Sequence, residues 1–261
     1  MILIVGGQGL AGSAIAAELG KRGIAHEIVQ RENRREFHGR ACDTIVFCAG
    51  NSLRWKAAED PHLDFTTSVT PVSYYLHELR ARRFVLLSDV EVYPEASSPE
   101  ATREEALCPS DARSTYAYHK LLAEECVQRF APSHLILRMP ALVGPGLHGN
   151  LVHDLERGSR PVRECPQTRI SILHTERMAS QLAQLLEQDA EGIMNLAALD
   201  NISLKDAARI LGTEPCFQPD PGATPRSQVL AVDRASSLVE LESSAQALTR
   251  YRDQQRASRT A

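Results

Sequence analysis

The 261-residue sequence predicts an α/β protein built on a doubly wound parallel sheet with helices on both faces. Three observations carry that expectation. Short apolar runs of strand length alternate with stretches whose apolar residues recur every three or four positions. The first run, ILIV at 2–5, is followed at once by glycines and then by a helical pattern. The length suits one large α/β domain and buries a sizeable core.

Taken in order, ILIV (2–5) is the first strand, and apolar residues at helical spacing over 10–19 predict a helix that Gly20 and Gly23 close. HEIVQ (26–30) and TIVFC (44–48) are the second and third strands. Only residues 31–43 lie between them, little room for a helix and a further strand, so the sheet is expected to lack one strand. Phe65, Val69, Val72, Leu76 and Leu79 then step by four and three, a helical stripe that Pro71 kinks or starts. RFVLLS (83–88) is a strand, a loop rich in Pro and Ser runs to about 112, and a helix and the strand HLILR (134–138) follow. Beyond it the pattern predicts helices near 150–157, 175–189 and 203–211, with strands at RISIL (169–173) and IMNLA (193–197). A loop rich in Pro and Gly covers 212–228, and a last helix spans about 235–251 before a frayed basic end.

Composition is that of a soluble globule, 43% hydrophobic and 24% charged, and the net charge of −4 argues against nucleic acid or an anionic membrane as partner. No apolar run is long enough to span a bilayer, and the start MILIVGGQG lacks the basic-then-apolar order of a secretory leader, so a cytoplasmic location is expected. Cysteines at 42, 48, 108, 126, 165 and 216 form no C-x-x-C, and Cys48 and Cys126 sit in apolar patterns as expected core residues. His148 and His153 share a loop region without a carboxylate or cysteine ligand nearby, so no metal site is expected.

VGGQGLAG places Gly6, Gly9 and Gly12 at a G-x-x-G-x-x-G spacing between a strand and a helix, with Gln8, Leu10 and Ala11 in the same turn. Residues without Cβ let the backbone turn sharply and approach a pyrophosphate, which rests on free N–H groups at the helix N-terminus. A dinucleotide is therefore expected here. At the end of the second strand, where a carboxylate would bind ribose hydroxyls, the chain reads Gln30 and Arg31, then Arg34 and Arg35. Guanidinium groups suit a 2′-phosphate, which favours NADP(H), while Glu32 keeps NAD(H) open.

In STYAYHKLLAEECV (114–127), Tyr116 and Lys120 stand one helical turn apart on a shared face. The chain holds four lysines and six tyrosines, so chance gives about 0.1 such pairs. Together with GGQGLAG, DTIVFCAG (43–50), SDVEVY (88–93), YAYHKLLAEE (116–125) and LRMPALVGPG (137–146), the chain resembles the extended short-chain dehydrogenase/reductases, the NAD(P)-dependent epimerases, dehydratases and reductases of nucleotide sugars. The resemblance runs from residue 1 to about 211 and identifies a superfamily, not one reaction. It implies a Rossmann-like sheet with a small C-terminal substrate lobe, within one unit spanning 1–261. Residues 1–140 would be mainly the NAD(P)-binding part and 141–261 mainly the substrate-binding part, with strands returning to the sheet. It also implies that Cys48, Ala49 and Gly50 line the cofactor, that Tyr116 is the acid/base, and that Lys120 binds the nicotinamide ribose and lowers the tyrosine's pKa. Tyr118 and His119 fall on other faces, as packing or solvent residues.

The pattern breaks at Asp89, where the family carries a Ser or Thr that hydrogen-bonds the reacting oxygen. An ionised carboxylate cannot donate, and its charge opposes ionisation of Tyr116. A protonated Asp89, a substituting Ser88, and loss of turnover all stay open. Glu91 matches an acid/base glutamate of sugar 4,6-dehydratases, or is a loop carboxylate. Ala141 stands where many members carry a substrate-contacting Asn. Arg163 and Arg169 are candidates for a nucleotide diphosphate, or surface arginines. PRSQVLAVDRASSL resembles the tail of sugar 4-ketoreductases. The expectation is an NADP(H)-dependent keto reductase of a nucleotide sugar acting as a cytoplasmic homodimer. The alternatives are an epimerase or dehydratase with tightly held cofactor, and an NAD(P)-binding module that has lost its chemistry.

Overall fold

The computed structural model describes residues 1–105, 107, 109–158 and 161–260, without the side chains of 259 and 260. Cys108 lies outside the described residues. In chain order the first elements are β1 (Ile2–Val5), α1 (Leu10–Lys21), β2 (His26–Val29), β3 (Ala41–Phe47), α2 (Arg54–Glu59), α3 (Pro61–Ser68), α4 (Thr70–Glu78) and β4 (Arg80–Asp89). Then follow α5 (Thr115–Phe130), β5 (His134–Met139), β6 (Ala141–Val143), α6 (Leu151–Arg157), β7 (Arg169–Ile170) and β8 (Ile172–His174). The remainder is α7 (Thr175–Glu187), β9 (Gly192–Asn195), β10 (Ile202–Ser203), α8 (Leu204–Leu211), α9 (Asp233–Ser236) and α10 (Ser244–Thr260).

The chain forms two compact units, the first comprising Met1–Pro94, Glu104–Arg138 and Ala179–Met194. Its sheet has the order β2-β1-β3-β4-β5-β9. Strand β1 pairs in parallel with β2 on one side and β3 on the other, with Leu3 opposite Glu27 and Ile45. All four β1 residues are buried, as a strand covered on both faces requires. The chain leaves β1 in opposite directions toward β2 and β3, which makes the carboxyl ends of β1 and β3 the place where such sheets take ligands.

Between β2 and β3 the structure has a single 3₁₀ turn, 34–37, anchored by buried Phe37. β2 is therefore the sheet edge, and the expected loss of a strand is borne out. The predicted stripe over 65–79 is two helices, because Pro71 sits in the first turn of α4, where its missing N–H costs nothing. Pro61 opens α3 in the same way, and Asp60 caps it by accepting from the Leu63 amide at 2.9 Å. Short α2 has no apolar stripe and was not anticipated.

The second unit comprises Glu95–Arg103, Met139–Met178 and Asn195–Ala261. Residues 95–103 belong to it through Thr102. Its buried hydroxyl donates to the Val229 carbonyl and accepts from the Ala231 amide, both at 2.9 Å. Asn195 donates to the carbonyls of Thr102 at 2.7 Å and Ala231 at 2.9 Å. The single strand expected at 169–173 is two, interrupted at Ser171: β7 pairs antiparallel with β10, and β8 pairs parallel with β6. The helix expected at about 235–251 is two, α9 and α10, and α10 runs to Thr260 instead of fraying after 251. Tyr251 explains the difference: it is 2% exposed and donates to Glu156 at 2.6 Å, and Gln254 a turn on bonds the ring of buried His174 at 2.9 Å. Among the described residues no helix is long and apolar enough to cross a membrane.

Candidate active site

The glycine turn is sterically obligatory at two positions. Gly6 has φ +82°, and a Cβ there would lie 2.9 Å from the Ala49 nitrogen. A Cβ on Gly12 would come within 2.3 Å of the Gly6 oxygen. Gly9 is the N-cap of α1 with no side-chain cap, so the first amides of the helix, with Leu10 and Ala11, are open to an anion. Across from this turn β3 is followed by Cys48, whose amide donates to the Val5 carbonyl at 2.9 Å, and by Gly50 with φ +124°. Cys48 is half-buried, and desolvation pushes its thiol up to about 12, which leaves it un-ionised and inert. Cys126 is likewise half-buried, its thiol raised by burial.

At the end of β2 the Gln30 amide donates to Asn33 Oδ1 at 2.7 Å and closes a turn that leaves Arg31, Glu32, Arg34 and Arg35 exposed. The Arg34 guanidinium stands over the Tyr74 ring, 5.3 Å from its centre.

Ser114 caps α5 by accepting from the Ala117 amide at 3.1 Å, which sets Tyr116 in the first turn and Lys120 one turn later. Tyr116 is only 3% exposed, and its hydroxyl donates to Asp89 Oδ2 at 2.8 Å. The other oxygen, Oδ1, accepts from the Glu91 amide at 2.9 Å. Asp89 therefore serves as an acceptor on both oxygens. Lys120 Nζ lies over the Tyr116 ring, 5.4 Å from its centre.

Burial, then the Asp89 charge and its hydrogen bond, push Tyr116 well above the ordinary phenol range. Lys120 is itself lowered by desolvation, against the pull of Asp89, Asp64 and Glu124.

Ser88, like Asp89, bonds a side chain of α5. Its hydroxyl donates to Glu124, which forms a buried ion pair with Arg138 at 2.7 Å, and Arg138 also donates to Tyr93 at 3.1 Å. Glu91 pairs with Arg54 of α2 at 2.7 Å. Arg54 was not anticipated from the sequence, since no spacing rule marks it; it brings a cation to Glu91, Asp89 and Tyr116. Tyr118 is exposed, whereas His119 is buried and bonds Asp64 at 2.6 Å.

In the second unit Ala141 is half-buried on β6. Arg163 is exposed and 3.9 Å from Asp220. Arg169 is exposed, and its guanidinium is already held by the side chain and carbonyl of Asn201, at 2.6 and 2.8 Å.

A family model described as the NAD dependent epimerase/dehydratase family matches residues 2–175. The chain is 30% identical over 171 residues to a ceramide reductase of Caulobacter vibrioides, a match covering 62% of this chain and 48% of that protein. The chain thus spans about half the length of this curated relative. Among solved structures, MoeE5 in complex with UDP-glucose and NAD superposes with a TM-score of 0.82 at 19% identity, covering 98% of this chain and 99% of that one. The dTDP-4-dehydrorhamnose reductase of Bacillus anthracis in complex with NADP gives 0.79 at 14% identity, covering 97% of each chain. UDP-glucose 4-epimerase of Thermus thermophilus in complex with NAD gives 0.75 at 19%, covering 98% and 99%. At such identities the likeness is one of fold.

Proposed function

The chain belongs to the NAD dependent epimerase/dehydratase family, whose members are NAD(P)-dependent enzymes, and on that premise we propose that it reduces a keto group of a nucleotide-activated sugar with NADPH. The observation that carries the reading is the Tyr116–Lys120 face of α5, with the Tyr116 hydroxyl on Asp89 at the carboxyl end of β4. The residues present suit a dinucleotide: Gly12 lets α1 pack directly on the Gly6 carbonyl, a contact any Cβ would break, and the N-terminus of α1 has no side-chain cap. A bound nicotinamide supplies the hydride. Tyr116 holds the proton at its hydroxyl and gives it to the substrate's carbonyl oxygen as that oxygen gains charge. Its high pKa keeps it in the protonated form that a reduction needs. Lys120 sits beside the phenolate left behind and limits its cost. Arg31 is the residue for a 2′-phosphate, and Arg163, less engaged than Arg169, is the candidate for the substrate diphosphate.

Relatives named as reductases favour reduction over epimerisation, and one of them, the ceramide reductase, adds lipid ketones to the substrates to be tried. The likeness to a 4-epimerase keeps that second reading in the test. The reaction is placed in the cytoplasm, on a homodimer joined through α3 and α5, where Phe65, Tyr118 and Phe130 are large exposed side chains. The test incubates purified protein with NADPH and a panel of 4-keto UDP and dTDP sugars. Stoichiometric loss of NADPH is expected. Interconversion of sugars with no added cofactor would establish the epimerase instead, and an inert panel would leave the impaired module.

A further inference from the structure

The elements around Tyr116 share a buried cluster whose centre is a carboxylate with no part in the reading above. Asp64 on α3 is 2% exposed. Its Oδ2 lies 2.6 Å from Nδ1 of His119 on α5, and its Oδ1 accepts from Asn51 at 2.7 Å and Ser68 at 3.4 Å. His119 is 6% exposed, with its ring edge-on to Phe65 at 5.4 Å. A carboxylate this deep persists only when paired and hydrogen-bonded, and Asp64 is both.

Two parts of the dinucleotide site depend on it. Asn51 directly follows the 48–50 segment at the carboxyl end of β3, where Ala49 abuts Gly6. The Asn51 side chain closes that turn on Leu53, donating to its carbonyl at 2.9 Å and accepting from its amide at 2.8 Å, while the Asn51 amide donates to Ser68 at 3.2 Å. Fixing Asn51 fixes the segment. The second dependent part is Lys120, the residue after His119, which stays cationic against burial through Asp89, Asp64 and Glu124. Glu124 is also held by Arg138, and Asp89 also accepts from Tyr116. Asp64 is one of these counter-charges, after Asp89.

We propose that Asp64, held by His119 and Asn51, is a positioning device that fixes the 48–51 segment and adds a counter-charge for Lys120, so setting the affinity for the dinucleotide. The consequence for affinity rests on the nicotinamide-dependent reading; the coupling to Lys120 does not.

With four lysines in the chain, the Lys120 side chain can be followed by ¹³Cε NMR and assigned through Lys120→Arg. In Asp64→Asn its titration midpoint falls by about one unit, because a neighbouring negative charge is gone. NADPH binding by fluorescence weakens about tenfold, as loss of a hydrogen bond to a charged group implies, and KM for NADPH rises while KM for the keto substrate holds. Asn51→Ala leaves the Asp64–His119 pair intact; it weakens NADPH binding by about tenfold with the Lys120 titration unmoved. A folded Asp64→Asn protein with the parent's Lys120 midpoint overturns the proposal, as does Asn51→Ala with the parent's NADPH affinity. Should Asp64→Asn not fold, Asn51→Ala still decides. If the parent bound neither NADPH nor NADH, the reading of the site would fall, and the Lys120 titration would still decide the role of Asp64.

Discussion

Replacing Asp89 by Asn isolates the charge that most directly opposes Tyr116. Asn keeps the side-chain shape and one oxygen for the Glu91 amide, but removes the negative charge 2.8 Å from the phenol. Two full charges at that separation repel by roughly 6 kcal/mol at an effective dielectric near 20, and by roughly 1.5 kcal/mol in water. Asp89 is half-exposed and screened by solvent, so the charge effect lies near the lower bound. About 1.4 kcal/mol is one pKa unit, so the Tyr116 pKa falls by at least about one unit. The assay is the pH profile of kcat/KM in the oxidative direction, with alcohol and NADP⁺. There the phenolate is the working form, and the rate climbs with pH until Tyr116 has ionised. In the parent, burial and Asp89 together hold Tyr116 protonated, and the rate is still climbing at the alkaline limit. In Asp89→Asn the inflection moves down by at least about one unit, and the rate at pH 8 rises about tenfold. Loss of activity at every pH with the inflection unmoved would refute this reasoning, because it would make Asp89 a proton donor to substrate.

Tyr116→Phe keeps the ring packing and removes the proton, so kcat falls by about 10²- to 10⁴-fold while NADPH binding by fluorescence is largely kept. Gly12→Ala drives a methyl group into the Gly6 carbonyl, 2.3 Å from its oxygen; it abolishes NADPH binding and, as overpacking does, costs about 1–3 kcal/mol in urea unfolding. Arg138→Met strands the Glu124 carboxylate in the core, and unfolding free energy drops by about 3–5 kcal/mol. Arg31→Ala removes the cation assigned to the 2′-phosphate, so the ratio of NADPH to NADH affinity falls about tenfold; an unchanged ratio places the preference elsewhere.

The parallel sheet was legible because its strands are continuous apolar runs, and covering a strand on both faces demands that pattern. The missing strand was legible too, since thirteen residues cannot hold a helix and a strand and return. What escaped the sequence was set by long-range contact. Thr102 reads as one more polar loop residue, yet its hydroxyl joins Val229 to Ala231, and nothing local signals a partner that far along the chain. The end of α10 reads as a frayed basic tail, and contacts such as those of Tyr251 and Gln254 hold the helix to the rest of the unit. In the site, the Tyr116–Lys120 pair and the glycine turn follow from spacing along one element. Arg54 and Asp64 do not, because they arrive from short helices whose placement depends on prolines and caps.

That division matters most at Asp89. Compared with the family pattern alone, Asp89 is a defect: a group that cannot donate, beside a tyrosine that must give up a proton. The ionisation of a phenol, however, responds to the sum of the surrounding charges and not to one position. Asp89 and Glu91 raise the Tyr116 pKa, and Arg54, in contact with Glu91 at 2.7 Å, lowers it. Two carboxylates are thus met by two cations, Arg54 and Lys120, and the phenolate adds one net negative charge to a neutral set. Had Asp89 arisen without Arg54, the same step would have added a charge to a set already carrying −1. The Arg54 guanidinium therefore offsets the charge that Asp89 sets beside the phenol.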